Sequence, residues 1–136
     1  GCLKFNRCSC MKNNPSLKKI VFMKTSLHEI KPYMTKDGSQ VRELIHPAVH
    51  GNKNLSFAQA VIEPGCATIV HMHKISEEIY HVAQGTGMMT LGEEQFFIGP
   101  RDTVCILPYL SHRVENTGHE PLIIYCCCAP PLRPLR

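Results

Sequence analysis

His71 and His73 stand two residues apart, Glu78 follows closely, and His112 answers them about forty residues later. On a β-strand, side chains alternate between faces with period two, so the two early imidazoles would point the same way. Glu78 opens the next apolar run (Ile79, Tyr80, Val82) and can return a carboxylate to that face. Three imidazoles and one carboxylate form a mixed nitrogen and oxygen set suited to a borderline divalent metal. A solitary buried histidine is ordinarily a hydrogen-bonded core residue, and His28, His46, His50, His81 and His119 are read that way. His-x-His alone recurs by chance. Glu78 and His112 beside it turn the pair into a metal-site hypothesis.

The elements that must position these residues read as strands. Apolar or alternating runs cover residues 41–45, 55–63, 71–73, 78–84, 88–91, 95–98, 103–107, 112–115 and 122–129. Turn residues separate them: Asp37-Gly38, Pro64-Gly65, Gly85-Thr86-Gly87, Gly92-Glu93-Glu94, Gly99-Pro100-Arg101-Asp102 and Asn116-Thr117-Gly118-His119. The glycine triplets at 85–87 and 92–94 are expected to close hairpins. Short strands at close spacing predict an all-β sandwich or barrel rather than a βαβ fold. Residues 17–22 are expected to add a short strand, and residues 25–30 a single helical turn.

The same residues carry a family resemblance. Gly65, His71-x-His73, Glu78 and Gly85, separated by five, four and six residues, resemble the first motif of the cupins. Asp102 to Pro108 followed by His112-x3-Asn116 is similar to their second motif. There the chain departs: Arg101 and Tyr109 stand where the family usually has Gly, and Leu107 where it usually has Pro. The resemblance covers roughly residues 56–131. It implies a small jelly-roll β-barrel with His71, His73, Glu78 and His112 holding one divalent metal, which could be Mn, Fe, Ni, Co or Zn.

Charge is unevenly spread. Seven of the fifteen basic residues lie at the two ends (Lys4, Arg7, Lys12, Lys18, Lys19, Arg133 and Arg136), where no acid accompanies them. Residues 23–130 therefore carry eight basic residues against eleven acidic ones, which argues against a nucleic-acid surface on the barrel. The expected organisation is a disordered basic appendage over 1–22, one barrel over 23–131 and a tail over 132–136. The chain opens with Gly, and Met23 is the initiator this organisation would suit. Cys2-Leu3-Lys4-Phe5-Asn6-Arg7 lacks the apolar stretch of a secretory signal, and no run is long enough to span a bilayer. Cys8-Ser9-Cys10 has no second pair to complete a metal site. The eight cysteines, three of them consecutive at 126–128, make no disulfide framework, so reduced thiols in a cytoplasmic protein are expected. Cys126 or Cys128 could add a thiol from the inward face of the last strand.

Several side chains could work beside the metal. Tyr80, two residues beyond Glu78, shares its face and could serve as a general base, its phenol acidified by the cation; otherwise it is a hydrogen-bonded wall residue. Arg42, facing opposite to Glu43, could clamp a substrate carboxylate or phosphate, or simply be solvated. Gln59, between Ala58 and Ala60, could line a pocket. Two functions follow. One is a metal-dependent enzyme acting on a sugar, sugar phosphate or carboxylate, by isomerase, dioxygenase, decarboxylase or lyase chemistry. The alternative is a metal-containing binding or sensor module without turnover. A core this small, with sheet edges to cover, is also expected to dimerise, with residues 35–46 adding a strand to a partner barrel.

Overall fold

Alternation of inward and outward side chains builds two facing sheets. The computed structural model of the protein describes residues 23–131. The expected appendage, with its strand at 17–22 and the Cys8 and Cys10 pair, and the expected tail lie outside the described residues. After a 3₁₀ turn at Leu27–Glu29 come β1 (Tyr33–Met34), β2 (Gln40–Ile45), a short helix α1 (Pro47–His50) and β3 (Ser56–Ile62). Then follow β4 (Glu77–Gln84), β5 (Gly87–Leu91), β6 (Glu94–Ile98), β7 (Thr103–Ile106), β8 (His112–Asn116) and β9 (Leu122–Ala129). One sheet has the order β1-β2-β3-β9-β4-β7 and the other β6-β5-β8, all antiparallel. This is the expected all-β jelly roll.

Between the sheets lie Ile62, Val82, Met89, Ile98, Ile106, Val114, Leu122 and Ile124. Fully burying an aliphatic side chain of this kind is worth about 1.5–3 kcal/mol, so this layer supplies most of the driving force. In β4 the alternation is clean: Glu78, Tyr80 and Val82 are buried while Glu77, Ile79 and His81 are exposed. Asn116 ties the layers together. Its amide donates to the carbonyls of Ile62 and Glu120, and its oxygen accepts from the Gly118 N–H.

Two expectations need correction. Residues 71–73 do not form a strand. The segment between β3 and β4 runs beside β8 as an irregular ribbon, touching it through single bridges at Ala67 to Glu115 and His71 to His112. Between these bridges the ribbon advances four residues and β8 three, so the register slips by one and no continuous ladder forms. Gly85 does not sit in a hairpin, because β4 and β5 belong to different sheets; the expected turn is a crossover. Gly92, by contrast, does lie in the tight turn joining β5 to β6, with Leu91 facing Glu94. Within residues 35–46, β1 pairs with Gln40 and Val41 of β2 alone.

Gly85 has φ 86°, and a Cβ there would lie 2.8 Å from the Pro121 carbonyl oxygen and 2.9 Å from Leu122 Cα. Gly51 has a similar φ of 82° but open space around it. Gly85→Ala should therefore cost about 2–4 kcal/mol, and Gly51→Ala only about 1–2 kcal/mol, from the left-handed backbone alone. Urea denaturation midpoints of the two variants check the difference.

Candidate metal centre

Buried Glu78 is the second residue of β4, buried His112 opens β8, and the ribbon lays His71 and His73 beside them. One donor atom from each of the four comes within 4.8 Å of all the others. His73 Nε2 and His112 Nε2 stand 3.4 and 3.5 Å from Glu78 Oε1. The His71 and His112 rings pack edge to face with centroids 4.0 Å apart.

Backbone carbonyls orient the rings. His71 Nδ1 donates to the Ile69 carbonyl at 2.8 Å and His112 Nδ1 to the Leu110 carbonyl at 3.1 Å. A carbonyl only accepts, so each contact places the ring proton on Nδ1 and leaves the Nε2 lone pair facing the cluster. His73 is held through its backbone, whose carbonyl accepts from the Tyr109 N–H at 2.8 Å. His73 Nε2, Glu78 Oε1 and His112 Nε2 are buried with no hydrogen-bond partner. Unpartnered buried acceptors are costly, and a cation is what this donor set would satisfy. The cluster could hold a metal ion.

The electrostatics agree. Burial works to raise the Glu78 carboxyl, but the imidazoles of His112 and His73 outweigh it and hold the group at about 2. Burial pushes His71 down; the Ile69 carbonyl opposes it, and the neighbouring imidazoles add to it. Both groups therefore sit in the forms that bind metal, carboxylate and neutral imidazole.

His71, His73 and Glu78 of the cluster line a cavity of about 500 Å³. Tyr80 lines it, buried, with its ring edge-on to His112 at 5.9 Å. Burial, and after it the Glu78 carboxylate, push the Tyr80 phenol well above its ordinary value, so the side chain holds its proton. The protein alone does not supply the acidified phenol that a general base needs. Cys126 and Cys128 also line the cavity without joining the donor set, and burial pushes the Cys126 thiol up. None of the five cysteines among the described residues is joined in a disulfide.

Arg42 and Gln59 are not in the cavity lining. Arg42 Nε donates to the Ile30 carbonyl, and Gln59 Nε2 lies 3.4 Å from the Tyr125 hydroxyl, on the outer face. Their neighbours Val41, Glu43, Ala58 and Ala60 face inward instead. The alternation was legible, but one strand by itself does not reveal which face meets the core. Tyr33, Ser39 and Glu43 were missed as lining residues. β1 is only two residues long and carries no period to read.

Residues 58–128 match the family model described as "Cupin domain", more than half of the chain. The chain is a cupin. An uncharacterized protein of Methanocaldococcus jannaschii is 46% identical over 109 residues, 80% of this cupin and 87% of that protein. The glucose-6-phosphate isomerase of Thermococcus kodakarensis is 37% identical over 83 residues, 52% of this cupin and 44% of the isomerase. The cupin thus matches less than half the length of that enzyme. Among solved structures, a predicted oxalate decarboxylase from Thermotoga maritima superposes with TM-score 0.72 at 24% identity, over 79% of this cupin and 99% of that chain. KdgF from Halomonas superposes with TM-score 0.71 at 17% identity, over 80% and 94% of the two chains. These two likenesses concern the fold.

Asp37 links the β1–β2 turn to the ribbon: its carboxylate accepts from the Ile69 N–H at 2.9 Å, the Ser39 N–H at 2.9 Å and the Thr35 hydroxyl. Burial works to raise its carboxyl, but the Ser39 side chain, the Thr35 hydroxyl and the two backbone N–H groups hold it at about 2, below its ordinary 3.8. A depressed carboxyl stabilises the fold above its unfolded value, and that contribution fades as the pH falls toward its folded one. Asp37→Asn should be less stable than wild type at pH 7, with the gap narrowing as the pH drops through about 4 toward 2. Urea unfolding at pH 7 and pH 3 measures it.

Proposed function

We propose that this cupin is a metal-dependent enzyme acting on a small polar metabolite, a sugar, sugar phosphate or carboxylate, by isomerase, dioxygenase, decarboxylase or lyase chemistry. The observation that carries the reading is the set of buried, unpartnered Nε2 and Oε1 atoms converging on one wall of a ligand-sized cavity. His71, His73, Glu78 and His112 would hold one divalent ion (Mn, Fe, Ni, Co or Zn). Bound there, such an ion supplies Lewis-acid polarisation of a carbonyl and a lowered pKa for water.

The chain's own residues supply the rest. The buried wall of β4 and β9 excludes bulk water, and Tyr80, protonated and facing the cavity, can donate its proton or a hydrogen bond to a developing oxyanion. A binding or sensor module without turnover is the second reading, favoured by the same retained proton, which leaves Tyr80 no basic lone pair. The unbridged cysteines suit a cytoplasmic setting, and we assign the protein there as a homodimer. Light scattering at micromolar concentration should give twice the chain mass; a monomer removes that assignment.

Elemental analysis of purified protein should find one divalent ion per chain. His73→Ala should weaken metal affinity by on the order of 100-fold or more, since losing one donor also leaves the others uncompensated. Tyr80→Phe should retain the ion. On a substrate found by thermal-shift screening of sugar phosphates and small acids, Tyr80→Phe should lose turnover. Full activity in that variant would reduce Tyr80 to a wall residue, and binding without turnover in wild type would favour the sensor.

A further inference from the structure

The cavity has a second polar wall that no metal would use. Along the inward face, Ser56, Cys128 and Glu78 lie on one rung, and Glu43, Ala58, Cys126 and Tyr80 lie on the next. Glu43 is thus three strands from the metal wall, about 14 Å across a flat sheet at the usual strand spacing and less in a curved one. Small residues fill the floor between, Ala58 and Cys126, and long inward side chains from both walls shorten the gap. A molecule the size of one sugar ring would span it.

Glu43 Oε1 accepts a hydrogen bond from the Tyr33 hydroxyl at 2.9 Å. A carboxylate accepts up to about four, so most of its capacity faces the cavity unused. Ser39 lines the same wall near the β1–β2 turn, where its side chain helps to lower the Asp37 carboxyl. The charged residues lining the cavity are Asp37, Glu43 and Glu78 against Lys36, and no arginine is among them. Asp37 already accepts from Ile69, Ser39 and Thr35. Glu43 is left as the acid that a ligand meets opposite the metal wall.

We infer that Glu43, held by Tyr33, is a specificity residue that reads a hydroxyl group on an uncharged ligand and turns away a phosphate or carboxylate at the same place. A ligand hydroxyl donates to the Glu43 carboxylate, using acceptor capacity that the fold leaves open. An anionic group meets that carboxylate instead, and the lysine of the lining, Lys36, sits on the β1–β2 turn beside Asp37. Within the substrate classes proposed above, this selects the unphosphorylated, hydroxyl-bearing one. The inference rests on that metal-site reading.

The test uses the full chain loaded with cobalt(II) and three probes that share one hydroxypyranone chelating head. Their tails are a methyl (allomaltol), a hydroxymethyl (kojic acid) and a carboxylate (comenic acid). Titration followed by the visible cobalt spectrum should rank kojic acid about tenfold tighter than allomaltol, and comenic acid about tenfold weaker, the scale of one hydrogen bond to a charged acceptor gained or one like-charge contact imposed. Glu43→Gln should bring comenic acid close to allomaltol. Three equal affinities in wild type, comenic acid binding tightest, or a Glu43→Gln ranking identical to wild type overturns the inference while leaving the metal site standing. Failure of wild type to take up cobalt overturns the metal reading and this inference with it, whereas cobalt uptake with none of the three probes binding overturns the inference alone. The wild-type ranking decides the matter even if a variant does not fold.

Discussion

Four lone-pair donors crowd within 4.8 Å in a wall that water barely reaches, and three of their atoms have no partner. Side chains left to themselves would rotate apart to find hydrogen bonds. They stay because the surrounding backbone spends its own bonds on holding them: the carbonyls of Ile69 and Leu110 fix two rings, and the Tyr109 N–H fixes the peptide of His73. The single bridge between His71 and His112, with both N–H groups answering the opposite carbonyl, clamps the ribbon to β8 at the level of the cluster.

The remainder of the barrel divides by side-chain size. Where the inward rungs carry Ile62, Val82, Ile106 and Ile124, the sheets pack into a dry core. Where they carry Ser56, Ala58, Ala60, Cys126 and Cys128, the same strands leave a cavity. Each truncation from a large to a small residue at a packed position costs roughly 2–5 kcal/mol, so an open end is sustained only by a well-filled one. Stability and binding thus occupy opposite ends of shared strands.

Two loops carry backbone strain toward the site. Arg101 (φ 73°) and Tyr109 (φ 68°) adopt the left-handed conformation at the two positions where cupins usually have Gly. The chain keeps the loop shape without the residue that makes it easy, at roughly 1–2 kcal/mol apiece. Hydrogen bonds hold both: Arg101 N–H to the Val82 carbonyl, Tyr109 N–H to that of His73. The departure from the motif alters the side chains on these loops and leaves the path of the backbone before His112 intact.

The four donors, the strand pattern and the glycine punctuation were legible in the sequence because each rests on local chemistry: residue type, period two and fixed short spacings. They were enough to predict an all-β barrel and to name His71, His73, Glu78 and His112. What lay beyond reach depended on distant partners. Arg42 and Glu43 are adjacent, and only the pairing of β2 with β3 turned Glu43 into the cavity and Arg42 out of it. Residues 71–73 look like a strand, yet the geometry of β8 lets them close one bridge only. Gly85 resembles a hairpin turn, and its role as a crossover follows from which sheet each neighbouring strand joins. Sequence periodicity determines that a strand has two faces, and tertiary packing decides which of them meets the core, because that choice is made by contacts tens of residues away.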